Sequence, residues 1–110
     1  MITLKNIIPR KQAENLQTTQ YIATNCKTVI DKFTVTNTTA APVTFSANLV
    51  ASGDSASAAN LVLANKSIAV NETYNCPELV GQSLESGGFI STVAGAATAL
   101  TISATGREIT

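Results

Sequence analysis

The sequence predicts an all-β fold: a single β-sandwich, Ig-like or jelly-roll-like, of about seven to eight short antiparallel strands behind an N-terminal arm. Three observations carry this. Apolar and hydroxyl residues alternate with period two in several runs, Asn, Asp and Gly punctuate the chain at short intervals, and helical periodicity is nearly absent. The length of 110 residues suits one domain. At that size roughly two-thirds of the unfolded surface can be buried, enough for a core without staples.

Taken in order, residues 1–16 form the arm and residues 17–110 the sandwich. The arm has no strand pattern. Leu4, Ile7, Ile8 and Leu16 offer apolar anchors for docking on a neighbour, and Pro9 discourages a continuous helix. Arg10–Leu16 is the one helical candidate, about two turns and marginal alone. Strands are expected at Thr18–Ala23, Thr28–Asn37, Val43–Leu49, Leu61–Ala64, Ser67–Val70, Thr73–Cys76, Phe89–Val93 and Leu100–Thr105. The last is the clearest, because Leu100, Ile102 and Ala104 alternate with Thr101, Ser103 and Thr105. In Thr28–Asn37 the inward set is Val29, Phe33 and Val35, and Asp31 falls on the same face. A β-bulge near Asp31–Lys32 would turn that carboxylate outward. Between strands stand Asn25-Cys26-Lys27, Asn37-Thr38-Thr39, Ser52-Gly53-Asp54, Asn65-Lys66, Asn71-Glu72, Ser86-Gly87-Gly88 and Gly95. Asn, Asp and Gly tolerate the left-handed backbone of tight turns. Ser52–Asn60 reads as loop or one short turn.

Composition narrows function. Only 13% of residues are charged, seven basic against seven acidic, so no global field steers the chain to nucleic acid or an anionic membrane. The charges divide as +3 over residues 1–32 and −3 over residues 33–110, a modest dipole. Histidine and tryptophan are absent, which removes the commonest general base and metal ligand. No zinc spacing, P-loop or dinucleotide fingerprint occurs. The carboxylates fall mostly in turns, and Asp54 lacks the companions of a calcium loop. The expectation is a non-enzyme with no cofactor and no metal. Carbohydrate or single-strand binding by stacking has only five aromatic residues to draw on, Tyr21, Phe33, Phe45, Tyr74 and Phe89.

Lys5 and Asn6 interrupt the N-terminal apolar run after three residues, short of a secretory signal, and no run approaches a membrane span. Cytoplasmic synthesis and a soluble product are expected. Cys26 and Cys76 then have three options: free thiols, an intramolecular bridge closing a loop of about fifty residues, or an inter-subunit bridge. The sequons at Asn37, Asn65 and Asn71 read as turn composition.

The succession Tyr21–Thr28, Phe33–Thr39, Ala41–Thr44, Ala58–Leu61, Asn71–Tyr74, Glu78–Val80, Leu84–Ile90 and Leu100–Ile109 resembles small β-sandwich virion proteins of tailed bacteriophages. The resemblance covers about residues 17–109. Asn25-Cys26 and Gly88 depart from it, standing where the family often has Pro-Ala-Gly and an Asp. It implies a repeated structural subunit at the neck, collar or tail, or a capsid decoration protein. The implied partners are other virion proteins and further copies in a homo-oligomer or ring, with no nucleic acid and no membrane. The implied location is the virion, after synthesis in the bacterial host cytoplasm. A carbohydrate-binding or adhesin module is the alternative from another class.

Overall fold

The computed structural model describes all 110 residues, and they form two antiparallel sheets facing each other across one core. The strands are β1 (Ile2–Gln12), β2 (Thr18–Ile22), β3 (Lys27–Asn37), β4 (Val43–Val50), β5 (Leu61–Ile68), β6 (Thr73–Tyr74), β7 (Ser83–Leu84), β8 (Phe89–Ala94) and β9 (Leu100–Ile109). The first sheet runs β1-β9-β3-β6, with β7 also on β3, and the second runs β2-β8-β4-β5. The pairs β4–β5, β3–β6/β7, β2–β8 and β1–β9 are nested, like the rungs of one long hairpin rolled up on itself. Contacts β3–β9 and β4–β8 close the roll. With β6 and β7 counted as two halves of one strand, this is the eight-stranded jelly roll, and it decides against the Ig-like alternative.

The expected strandless arm is instead a strand. Residues 2–12 pair with β9 from Ile2↔Ile109 to Gln12↔Thr101. Two register shifts, between Lys5 and Ile8 and between Ile8 and Lys11, erase the alternation that would have revealed it. They also turn two consecutive residues, Ile7 and Ile8, into the chain's own core. Pro9 is tolerated because β1 is an edge strand. The helical candidate Arg10–Leu16 is absent: Arg10–Gln12 finish β1, and the Ala13 and Glu14 backbones bond to Leu100 and Ala94.

The bulge expected near Asp31 lies between Ile30 and Lys32. It turns Asp31 outward, where Arg107 Nε donates to both carboxylate oxygens at 3.1 Å. It also reverses parity, so the inward residues before it are Thr28 and Ile30, and Val29 faces out. The expected Leu61–Ala64 and Ser67–Val70 strands are one, β5. Asn65, left-handed at φ 47°, makes a bulge inside it, not a turn. Ser46 holds that bulge by accepting from the Asn65 N–H at 2.8 Å. Ser52–Asn60 is a loop ending in a single 3-10 turn, Ala58–Asn60, capped by Ser57.

The core joins the sheets through Phe33 of β3 and Phe45 of β4, whose ring centroids lie 6.1 Å apart. Ile30, Val35, Ile68, Leu79, Ile90, Leu100 and Ile102 fill the space around them. One buried polar side chain organises the crossover from β3 to β4. Asn37 donates to the Ala41 and Ile68 carbonyls at 2.8 and 3.0 Å and accepts from Thr39 N–H and Oγ1. Such an amide, bonded on every side, does not serve as a glycan acceptor.

Candidate functional site

The sequence-predicted site residues do not come together. Ile7 and Ile8 are internal, whereas Leu4 and Leu16 are exposed. Cys26 and Cys76 are both buried free thiols. Cys26 Sγ lies 3.6 Å from Thr28 Oγ1. Cys76 adopts a left-handed backbone (φ 44°), and its Sγ donates to the Tyr74 carbonyl at 3.8 Å. Burial, with a smaller push from Glu78, raises the Cys76 thiol to about 12. A protonated, enclosed sulfur presents nothing to a neighbouring subunit.

Two groups of titratable side chains are structural in geometry. Tyr21 of β2 donates its hydroxyl to Glu108 of β9 and lies 2.7 Å from Thr28 Oγ1 of β3, a polar tie between the sheets. Lys5 of β1 reaches the same carboxylate at 3.4 Å. The Tyr21 hydrogen bond is the main reason Glu108 is held below the usual carboxylate range, while burial and that carboxylate push Tyr21 up. On the opposite edge Tyr74 donates to Glu78 at 2.7 Å, and Lys66 Nζ lies 4.8 Å from the Tyr74 ring centre. Glu78 is lowered by that hydrogen bond, and Tyr74 is raised to about 12 by the same contact. No three Cys, Asp or Glu side chains converge as metal ligands would.

The largest depression, about 290 Å³, lies on the outer face of the second sheet, under the β4–β5 loop. Alternation along β4 turns Ser46 and Asn48 outward, and register places Ser91 and Val93 of β8 beside them. Gln17, from the β1–β2 connection, donates to Ser91 Oγ at 2.7 Å and Asn48 Oδ1 at 3.3 Å. Asn48 in turn donates to the Ser57 carbonyl at 2.9 Å and Asn60 Oδ1 at 2.8 Å, which ties the loop down. The lining carries amides, hydroxyls and small apolar groups without one ionisable side chain. It can hydrogen-bond a neutral polar group but cannot transfer a proton at neutral pH. The outward polar set of β4 was legible from alternation. Gln17 was not, because only the β2–β8 register brings it over Ser91.

No family model and no curated protein matches the chain. Two solved structures share its fold. A chain in the structure of infectious bursal disease virus, Gx strain, superposes with a TM-score of 0.52 at 14% identity over 99% of this chain. A chain of the infectious bursal disease virus VP2 subviral particle gives 0.54 at 12% identity, again over 99%. This chain spans about a third of each of them, 33% and 32% of their lengths.

Proposed function

We propose that the chain is a structural subunit of a virus particle, in the tailed-phage class that its sequence resembles, bound at the neck, collar or tail. The observation that supports the virion role is the rolled sandwich, matched over 99% of this chain by about a third of two chains of virus particles. The fold alone is not specific, since jelly rolls also serve as lectins and cupins. The surface supports the assembly reading. In the second sheet β2, β4 and β8 carry no charged residue and turn mostly Thr, Ser and Asn outward, with little charge to keep copies apart. A carbohydrate-binding face is disfavoured: Phe33 and Phe45 are internal, Tyr21 is buried, Tyr74 is engaged by Glu78 and Lys66, and the half-buried Phe89 stands without an aromatic neighbour.

Mass spectrometry and gold-labelled antibody imaging of particles from a bacterial culture encoding the chain test the proposal. The expected result is a fixed number of copies per particle at one position. Gold spread over the capsid shell would replace the neck or tail by capsid decoration. Absence of the chain from purified particles would refute the virion role altogether.

A further inference from the structure

The outer face of the first sheet carries a second depression, of about 220 Å³, and its lining has a different chemistry. Register sets Lys32 beside Thr105 and Thr34 beside Ser103, on β3 and β9. Arg10 of β1 closes the third side, within the irregular stretch between Ile8↔Ala104 and Lys11↔Ile102. These five residues line the depression, and no apolar side chain joins them.

The two cations there differ from the other five. Lys5, Lys11, Lys27 and Arg107 are each ion-paired, and Lys66 lies over the Tyr74 ring. Arg10 and Lys32 have neither an acid nor a ring partner. The carboxylates nearest them in sequence are occupied elsewhere. Glu14 accepts from Lys11 and Gln20, and Asp31 from Arg107. Two unneutralised cations and three hydroxyls therefore share one concavity.

We propose that this depression binds an oxyanion group of the phosphate or sulfate class. The guanidinium offers a planar fork, the ammonium a point charge with three protons, and the Thr34 and Ser103 hydroxyls one further donor each, while Thr105 Oγ1 donates to Asn6 Oδ1 at 3.5 Å. That set exceeds what the two oxygens of a carboxylate use, and it suits a tetrahedral group with three terminal oxygens. The space is several times the roughly 30 Å³ share of one water, so it also admits part of a carrier molecule. With no apolar lining, that carrier is polar, as a sugar ester is. The inference does not depend on the virion reading.

The test uses the full chain at low ionic strength in two arms. One titrates sodium phosphate and sodium sulfate by calorimetry, and the other compares dextran sulfate with neutral dextran by affinity electrophoresis. The variants are Arg10→Gln, Lys32→Gln and the double variant. Lys27→Gln is the control, a surface cation outside the depression. Both target side chains are exposed, so unfolding midpoints should match wild type. The expected result is binding that the double variant weakens about tenfold or more, that Lys27→Gln spares, and that added salt suppresses. Binding of dextran sulfate alone would identify a polymer-borne ester, and binding of the free ions too would show that the oxyanion suffices. No binding in either arm would overturn the proposal. Equal loss in Lys27→Gln and the double variant would overturn it as well, because that is non-specific attraction.

Discussion

Ile8 decides whether β1 is part of the fold or an appendage. Its side chain is 1% exposed in the core, whereas Leu4, four residues earlier on the same strand, is 74% exposed. Ile8→Ala removes buried methylene and methyl groups and leaves a cavity over Ala104, at a cost of about 2–5 kcal/mol. For 110 residues the unfolding entropy converts each kcal/mol into about 4 °C, so the melting midpoint should fall by roughly 8–20 °C. Leu4→Ala should stay within about 0.5 kcal/mol of wild type. Thermal and urea unfolding followed by far-UV circular dichroism read both. Deletion of residues 2–12 should prevent folding, since it strips β9 of a partner strand and the core of Ile7 and Ile8. If Ile8→Ala melts with wild type and the deletion protein still folds, β1 is a loose arm and the packing argument fails.

The other perturbations probe backbone, charge and thiol in turn. A Cβ at Gly106 would collide with the Val29 carbonyl and stand 3.2 Å from Ile7 Cδ1, so Gly106→Ala should cost about 1–3 kcal/mol in urea unfolding; a neutral result would contradict the β3–β9 approach. Glu14, Glu78 and Glu108 all sit below their ordinary values when folded. Lowered folded values stabilise above the unfolded carboxylate pKa of about 4.5 and lose that contribution as pH falls through the folded ones. Stability should therefore drop on acidification below about pH 5, and Glu108→Gln should flatten the decline; an unchanged acid limb would remove the Tyr21–Glu108 tie as its cause. Cys76, with its thiol raised to about 12, should resist maleimide at pH 8 until urea unfolds the chain, and a disulfide-linked dimer on a non-reducing gel would contradict the buried thiol.

What could be read from the sequence follows the regularity of each ladder. β4 and β9 run without interruption opposite β8 and β3 over their central residues, and their alternation in Val43–Leu49 and Leu100–Ala104 is plain. β3 was legible except where its bulge reverses the faces, which is why Val29 and Ile30 exchange roles. β1 was illegible because two irregularities place Ile7 and Ile8 side by side in the core and leave residues 2–6 outside it. Asn65 looked like a turn because its left-handed backbone is the same in a bulge as in a hairpin. β7, two residues long, carries no period at all. The Arg10–Lys32 depression joins residues 22 positions apart and depends wholly on strand order, so no local pattern announces it.

Strand order also says which edge is open for association. β1 ends the first sheet and carries Lys5, Pro9, Arg10, Lys11 and two register shifts, all of which obstruct pairing with another strand. The far edge of that sheet is split into β6 and β7, two residues each. In the second sheet β5 presents Lys66 beside the Asn65 bulge. β2, the remaining edge, reads Thr-Thr-Gln-Tyr-Ile, with no charge, no proline and Ile22 52% exposed. Edge protection is thus strongest at β1 and weakest at β2, and copies that associate through a sheet edge should do so there. Thr19→Lys and Ile22→Lys each add a cation to that uncharged edge, and each should shift the chain toward monomer in sedimentation velocity. Leu61→Lys on β5 should not. Association that survives both β2 variants, or fails equally with the β5 variant, would move the contact from the strand edge to a sheet face.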